Sequence, residues 1–340
     1  MPVRNEADFI ERSLASVLQQ NYPHELLEIV IADGASTDDT VDRILKLSAR
    51  SDIKVKTVQN PKKIAPAALN IAIANAVGDI FVRVDGHCEI ESDYVANCVK
   101  HLMSGTADGV GGPIETIGSG LQAEAISLAM SSKFGVGGSA FRTVHDREMY
   151  TDSVAFPGYT RKMIERAGPF NEELVRNQDD EYNYRIRKLG GRILLSPDIR
   201  SKYYSRSTFR SLWSQYFQYG YWKIRVLQMH PKQMSPRQFV PFIFIFSTLI
   251  LGLLSIFFDA PKWALIGIVV AYVAANLIAS SNIARTRILM IPFLSSSFAI
   301  LHVSYGLGFL LGIAAIVPRR KNAFHGVRPR KRAADSRSER

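Results

Sequence analysis

Leu26-Leu27-Glu28-Ile29-Val30-Ile31-Ala32-Asp33-Gly34-Ala35-Ser36-Thr37-Asp38 is a short apolar run that stops at an acid and a turn. Its length and β-branched content read as a buried strand. Ser36 and Thr37 read as caps for a following helix, on which Val41, Ile44, Leu45 and Ser48 fall at helical spacing. Upstream, Ile10, Leu14, Val17 and Leu18 share a helical face that ends at Asn21-Tyr22-Pro23. Downstream, residues 54–58 alternate like a strand, Pro66 opens a helix carrying Leu69 and Ile73, and residues 80–84 form the next strand. Strands alternating with helices imply right-handed βαβ units: a Rossmann-like α/β domain with a mostly parallel sheet, over residues 1–200.

Two acids stand directly after strands in this scheme, Asp33 and Asp85. Ligands of parallel sheets bind beyond the carboxyl ends of the strands, so both acids converge on one site. A carboxylate there can accept hydrogen bonds from a base or ribose, or hold a divalent cation against phosphates. Taken singly, each is equally a helix cap or a turn former. No glycine-rich phosphate loop of dinucleotide or Walker type is present.

Beyond residue 200 the composition changes. Phe209, Trp213 and Tyr216 share a helical face, flanked by Lys202, Arg206, Arg210, Lys223 and Arg225. Over 201–238 this pattern suits an amphipathic helix at the level of lipid headgroups, or one packed on the domain before it. Residues 239–317 hold three charge-free runs, 240–258, 263–284 and 288–317, each long enough for a hydrocarbon core that takes ~20 residues of helix. The formal charge is +11, and residues 318–340 form a basic tail with nine Lys and Arg against Asp335 and Glu339. Such a tail fits nucleic acid or an anionic membrane; the apolar runs directly before it select membrane lipids and exclude nucleic acid as the partner. Basic residues on both flanks put both ends on the cytoplasmic side of a multi-pass protein. That demands an even number of crossings from three runs, so one run is re-entrant or interfacial, or the last holds two segments. Cys88 and Cys98 form no framework and fit a reducing compartment, and no secretory signal is visible.

The ordered set of motifs is more specific than any one of them. Pro2-Val3-Arg4-Asn5-Glu6 opens the chain, followed by the Asp33 segment, Ala68-Leu69-Asn70, Ala76-Val77-Gly78-Asp79, Asp85-Gly86-His87, and then Gln178-Asp179-Asp180-Glu181 with Arg185 and Gly190-Gly191. In this order they resemble glycosyltransferase family 2, inverting enzymes of GT-A fold, over about residues 1–225. With the C-terminal spans they look most like the membrane glucosyltransferases of succinoglycan-biosynthesis type.

The resemblance implies a hexosyl transfer from a nucleotide-diphosphate sugar, such as UDP-glucose, to a polyprenyl-linked oligosaccharide in exopolysaccharide or cell-surface polysaccharide biosynthesis. It places that reaction on the cytoplasmic face of the inner (plasma) membrane. Pro2, Glu6 and Asp33 would line the nucleotide pocket. Asp85 and His87 occupy the DxD position, expected to hold Mn²⁺ or Mg²⁺ and the diphosphate; the imidazole in place of the second Asp suits Mn²⁺ better. Asp179, six residues before Arg185, would be the general base, with Asp180 the alternative. Locally the same acids suit the first turn of a helix, with Glu181 and Arg185 an i,i+4 pair. Gln218-Tyr219-Gly220-Tyr221-Trp222 resembles the QxxRW of polysaccharide synthases, with Tyr221 for Arg, so Gln218 and Trp222 are expected at the acceptor–diphosphate region.

The family's first strand normally precedes the Pro2–Glu6 segment, so this strand is expected to be truncated, with the natural start upstream of Met1. A polyprenyl-phosphate sugar synthase, a processive polysaccharide synthase and a non-catalytic membrane scaffold stand as alternative functions.

Overall fold

The computed structural model describes residues 1–205 and 207–316; Arg206 and residues 317–340, the end of the third apolar run and the basic tail, lie outside the described residues. The quoted run is strand β2 (Glu28–Asp33), between β1 (Pro2–Val3) and β3 (Lys54–Gln59) in a parallel three-stranded sheet that pairs Val3 with Asp33 and Asp33 with Gln59. Ile29 and Ile31 are buried against Ile10 and Leu14 of α1 (Ile10–Leu18) and Ile44 of α2 (Thr40–Ser48), the helical stripes read from the sequence. Helix α3 (Ala65–Asn75) carries proline in its first turn, where a missing N–H costs nothing.

Strand β4 (Ile80–Val82) starts a second region: β5 (Cys88–Ile90), α4 (Tyr94–Met103), β6 (Gly109–Gly112), β7 (Ile114–Ile117), α5 (Leu121–Met130), the single turns α6 (Lys133–Val136) and α7 (Ala140–Thr143), and β8 (Met149–Tyr150). It continues through β9 (Ala155–Thr160), α8 (Arg161–Ala167), α9 (Gln178–Lys188), β10 (Ile193–Leu195) and β11 (Ser201–Tyr204). Here pairing is mixed. β9 runs antiparallel between β4 and β6, while β6 pairs parallel with β10 and β7 with β11. Strands such as Gly-Val-Gly-Gly in β6 carry no periodic signal, which is why only the parallel half was readable. β11 pairs with β5 and β7, so the sheet runs past the boundary at residue 200 to Tyr204.

Helix α10 (Phe209–Met229) is amphipathic as expected, but its apolar side faces protein. Leu212, Tyr216, Ile224 and Val226 are buried, and Phe209 packs at a tilt against Phe293. Two of the three aromatics of this stripe, Phe209 and Tyr216, thus pack within the chain, against a headgroup-level placement of the whole face, while Trp213 stays 39% exposed. The three apolar runs become α11 (Val240–Leu254), α12 (Asp259–Ala284) and α13 (Ile291–Ile316). Helical stretches over Pro236–Leu254, Asp259–Ala284 and Ile288–Ala315 are each long and apolar enough to cross a membrane. The last run is one continuous helix, which removes the reading with two segments in it.

α13 differs from the other two. Phe298 and Leu301 are fully buried in the same core as Ile126 and Met130 of α5, and Phe309 packs on Ile224 of α10. In α11 and α12 most side chains face outward, and the residues around their junction, Ile256, Phe257 and Trp263, are 68–72% exposed.

Candidate active site

One cleft of about 1030 Å³ opens beyond the carboxyl ends of β1, β2 and β4 and continues to the apolar helices. Its wall includes Pro2–Glu6, Asp85 and His87 at one end, Asp179 and Asp180 in the middle, and Phe244, Tyr272 and Tyr305 at the other. Eight Lys and Arg side chains line it against five carboxylates, a balance that favours anionic ligands.

The loop after β1 is held by the segment after β2. Asn5 takes a left-handed conformation (φ 53°); its backbone N–H donates to Ser36 Oγ (2.9 Å) and its Oδ1 accepts from the Thr37 N–H (2.8 Å). The Glu6 N–H donates to Thr40 Oγ1 (2.8 Å). Ser36 and Thr37 thus clamp this loop instead of capping α2, whose N-cap position is Asp39. Asp33 is buried, its carboxylate accepting from the Ser36 hydroxyl (2.6 Å) and N–H; its neighbour Gly34 forms the cleft wall.

Arg83 is the residue that sequence reasoning missed. Its Nε and Nη2 donate to the two oxygens of Asp85 (2.7 and 2.9 Å), and Nη1 donates to Asp179 Oδ1. A signal existed: residues two apart in an extended segment point to one side, so Arg83 and Asp85 share a face. Burial alone would raise the Asp85 pKa, but the Arg83 charge and hydrogen bonds outweigh it and hold that carboxyl below its usual value. At Asp179 the balance goes the other way. Desolvation deep in the cleft raises its pKa, Arg83 opposes, and the nearby Asp85 charge adds to the rise. The Asp179 side chain still opens to the cleft, 39% accessible.

Asp180 also lines the cleft but is engaged differently, accepting from Lys223 Nζ (2.6 Å) of α10, a lysine 2% accessible. Lys223 is therefore an internal ion-pair partner where the sequence suggested a headgroup contact. Asn177, also left-handed (φ 62°), begins α9 and donates through Nδ2 to the Tyr219 carbonyl (2.9 Å), fixing the acids against α10. Gln218 and Trp222 do not reach the cleft. Gln218 accepts from Arg176 (3.1 Å) over a separate shallow groove, and Trp222 packs edge-on to Tyr221. Gln215, Tyr219 and Lys223 face the cleft instead, because each step along a helix turns ~100° and only every fourth residue returns to that side.

The site's donor set fits a divalent cation. His87 Nδ1 is taken by Glu6 Oε1 (2.9 Å), which fixes the ring and leaves Nε2 as a ligand atom, as carboxylate-oriented histidines do at metal centres. Asp85 keeps a second lone pair on each oxygen beyond the pair used by Arg83. An imidazole with a carboxylate suits Mn²⁺ over Mg²⁺. Elsewhere His101, Glu148 and Asp198 bring one ligand atom each within 4.8 Å of one another; none of them lines the cleft.

Residues 1–167 match the model of the family described as glycosyl transferase family 2. The chain is 31% identical over 264 residues to the dolichyl N-acetyl-alpha-D-glucosaminyl phosphate 3-beta-D-2,3-diacetamido-2,3-dideoxy-beta-D-glucuronosyltransferase of Methanococcus voltae, covering 75% of this chain and 81% of that protein. It is 32% identical over 250 residues to the succinoglycan biosynthesis protein ExoA of Rhizobium meliloti, covering 71% and 73%. In fold it is similar to the mannosyltransferase PcManGT from Pyrobaculum calidifontis, solved with GDP-Man and Mn²⁺, at a TM-score of 0.57 and 23% identity over 91% of this chain and 85% of that one.

Proposed function

The chain belongs to glycosyl transferase family 2 and has its GT-A fold, and on that premise we propose that it transfers a hexosyl group from a nucleotide-diphosphate sugar to a lipid-linked oligosaccharide at a membrane surface. UDP-glucose is the donor to test first. One observation carries the reading: the cleft that holds Asp85 and Asp179 continues without interruption to Phe244, Tyr272 and Tyr305 of the apolar helices. A water-soluble donor and a lipid-borne hydroxyl can therefore approach one point from opposite ends. Both relatives support it, one a glucuronosyltransferase named for a dolichyl N-acetylglucosaminyl phosphate and the other a succinoglycan biosynthesis protein.

In this mechanism the nucleotide lies along the Pro2–Glu6 loop with its base toward Asp33. Asp85 and His87 Nε2 would hold a divalent cation, which when bound neutralises the departing diphosphate. Glu6 keeps His87 in the required tautomer and orientation. Asp179 takes the proton of the acceptor hydroxyl as that oxygen attacks the anomeric carbon from the face opposite the diphosphate. One C–O bond forms as the other breaks, and the configuration inverts. The raised pKa of Asp179 makes it a stronger base than an ordinary carboxylate, while Arg83 keeps it ionised and positioned. Asp180, committed to Lys223, holds α9 against α10.

Anchoring falls to α11 and α12, the helices with outward apolar faces, inserted from the cytoplasmic side of the inner membrane. α13 is the most enclosed of the three, with 39% of its apolar stretch buried inside the protein against 6% and 11% for the other two. A hairpin of two helices leaves both flanks on one side, as the basic residues around the spans require.

The test is transfer by purified protein in lipid nanodiscs from a panel of labelled nucleotide sugars to lipid-linked oligosaccharide. One donor should give a product longer by a single sugar with inverted linkage. Labelling of bare polyprenyl phosphate instead would replace the acceptor assignment, and no transfer from any donor would remove the reading.

A further inference from the structure

We infer that Lys133 and Arg142 form a seat for the phosphate or diphosphate head of a polyprenyl lipid, where the cleft passes from the catalytic fold to the apolar helices. This rests on the proposal that the acceptor is lipid-borne. Both residues line the cleft, on the single-turn helices α6 and α7. Arg142 is half-buried, its guanidinium stacked over Phe141 and Tyr203, with a single 3.3 Å hydrogen bond to Thr116 Oγ1. Among the described residues no carboxylate pairs with it, and none pairs with Lys133. The one acid on this part of the wall, Asp152, accepts from Arg237 (3.0 Å). A partly desolvated cation without a counter-charge is costly unless a ligand supplies one.

The surroundings decide what kind of anion fits. Phe134, next to Lys133, packs edge-on to Phe298 of α13, and its carbonyl accepts from His302 Nε2 (2.9 Å). With its proton on Nε2, the His302 ring accepts at Nδ1 from Tyr272 of α12 (3.0 Å). Arg237, just before α11, also donates to the Gly138 carbonyl (2.8 Å), tying the α6–α7 segment to the foot of the hairpin. Arg142, held over its two rings, and the exposed Lys133 thus lie at the root of helices whose outer surface is apolar. A small soluble anion would use the charge but not the apolar wall, and a neutral polyprenol the reverse. A polyprenyl phosphate or diphosphate uses both. Held there, its sugar chain extends into the cleft toward Asp179.

The experiment measures binding of a polyprenyl diphosphate, the uncharged polyprenol of the same length, and inorganic pyrophosphate to the full chain in nanodiscs. UDP and GDP binding are measured alongside. Wild type should bind the lipid diphosphate more tightly than the other two probes. Lys133→Ala and Arg142→Gln should each weaken it about tenfold, the loss expected for one charge-assisted hydrogen bond. Arg142→Lys should recover part of that loss, which a purely structural role for the stacked guanidinium would not allow. Polyprenol and nucleotide binding and the unfolding temperature should stay put. Unchanged lipid affinity in the variants overturns the inference. So does a matching loss of nucleotide affinity, which would move the pair to the donor diphosphate, or equal affinity for free pyrophosphate, which would make it a simple anion site. Sugar transfer is scored separately. Wild type that binds the lipid but transfers nothing defeats the proposed function and leaves the seat standing. Transfer with variants that bind normally defeats the seat alone.

Discussion

Arg83 shares one guanidinium between Asp85 and Asp179, so the residue proposed to meet the donor and the one proposed to take the proton are electrostatically linked. Asp179→Asn keeps size and hydrogen bonding but cannot accept the proton. We expect kcat to fall ~10²–10⁴-fold with donor affinity nearly unchanged, measured by steady-state kinetics and nucleotide titration. Asp180→Asn should show its effect in thermal unfolding, since it strips buried Lys223 of its carboxylate. Asp180 keeps 33% of its side chain accessible, so the cost should be roughly 2 kcal/mol, below the ~3–5 of a fully buried pair. A dead, fully stable Asp180→Asn with an active Asp179→Asn would exchange their roles. The pH dependence follows from the raised pKa of Asp179. The base works only when ionised, so kcat/KM should fall as pH drops through a value above the ordinary Asp range of ~3.9. Arg83→Met removes the cation that lowers this pKa and leaves Asp85 beside Asp179. The acid limb of the pH–rate profile should therefore move to higher pH, and a limb moved to lower pH would rule out this linkage.

At the scale of elements, the deciding contact is between α10 and α13, which run side by side in the same direction. Gly220 sits so close that a Cβ there would lie 2.1 Å from the Tyr305 carbonyl oxygen, and one at Gly308 would lie 2.1 Å from that of Phe217. The spacing Gly308-x-x-x-Gly312 is the sequence signature of such a close helix pair, and it lies inside a run otherwise read only as apolar. Gly220→Ala should push the helices apart, lower stability by roughly 1–3 kcal/mol, and weaken activity by displacing Tyr219 and Lys223 from the cleft. Gly252→Ala in α11, with nothing within 4 Å of the added carbon, is the comparison and should be neutral or slightly stabilising. Equal unfolding temperatures for both variants and wild type would mean that the seam carries no packing constraint.

On the scale of the whole molecule, the catalytic fold and the apolar region are one core rather than a head on an anchor. Phe298 and Leu301 of α13 are 0–1% accessible among α5 side chains, and each such burial contributes ~1.5–3 kcal/mol. Several of them together equal a large part of the ~5–15 kcal/mol that stabilises a domain. Truncation before Val240 should accordingly give an aggregating or poorly folded protein. A soluble, monomeric fragment that binds donor at full affinity would show that α13 is dispensable to the core. The same division of roles predicts where the bilayer lies. A single cysteine at Phe257, at the turn between α11 and α12, should react with a membrane-impermeant maleimide only from outside the cell if the hairpin crosses. Reaction only from the cytoplasmic side would make the hairpin re-entrant.

The parallel half of the fold, the family, the acids around the cleft and the three apolar helices were legible in the amino-acid order alone. These rest on local signals: β-branched runs, residue periodicity, and an ordered set of short motifs such as Asp33-Gly34, Asp85-Gly86-His87 and Gln178-Asp179-Asp180. Which side chains meet became visible only in three dimensions. Arg83 between two acids, Lys223 under Asp180, the clamp of Ser36 and Thr37 on Asn5, and the exclusion of Gln218 and Trp222 from the cleft depend on contacts between residues dozens of positions apart and on helix rotation. Mixed pairing around β9 escaped for a related reason, because glycine-rich strands bury without alternating. The deepest difference concerns α13: hydropathy measures only that a segment avoids water, and the same apolar residues satisfy that by facing lipid or by facing the protein's own core.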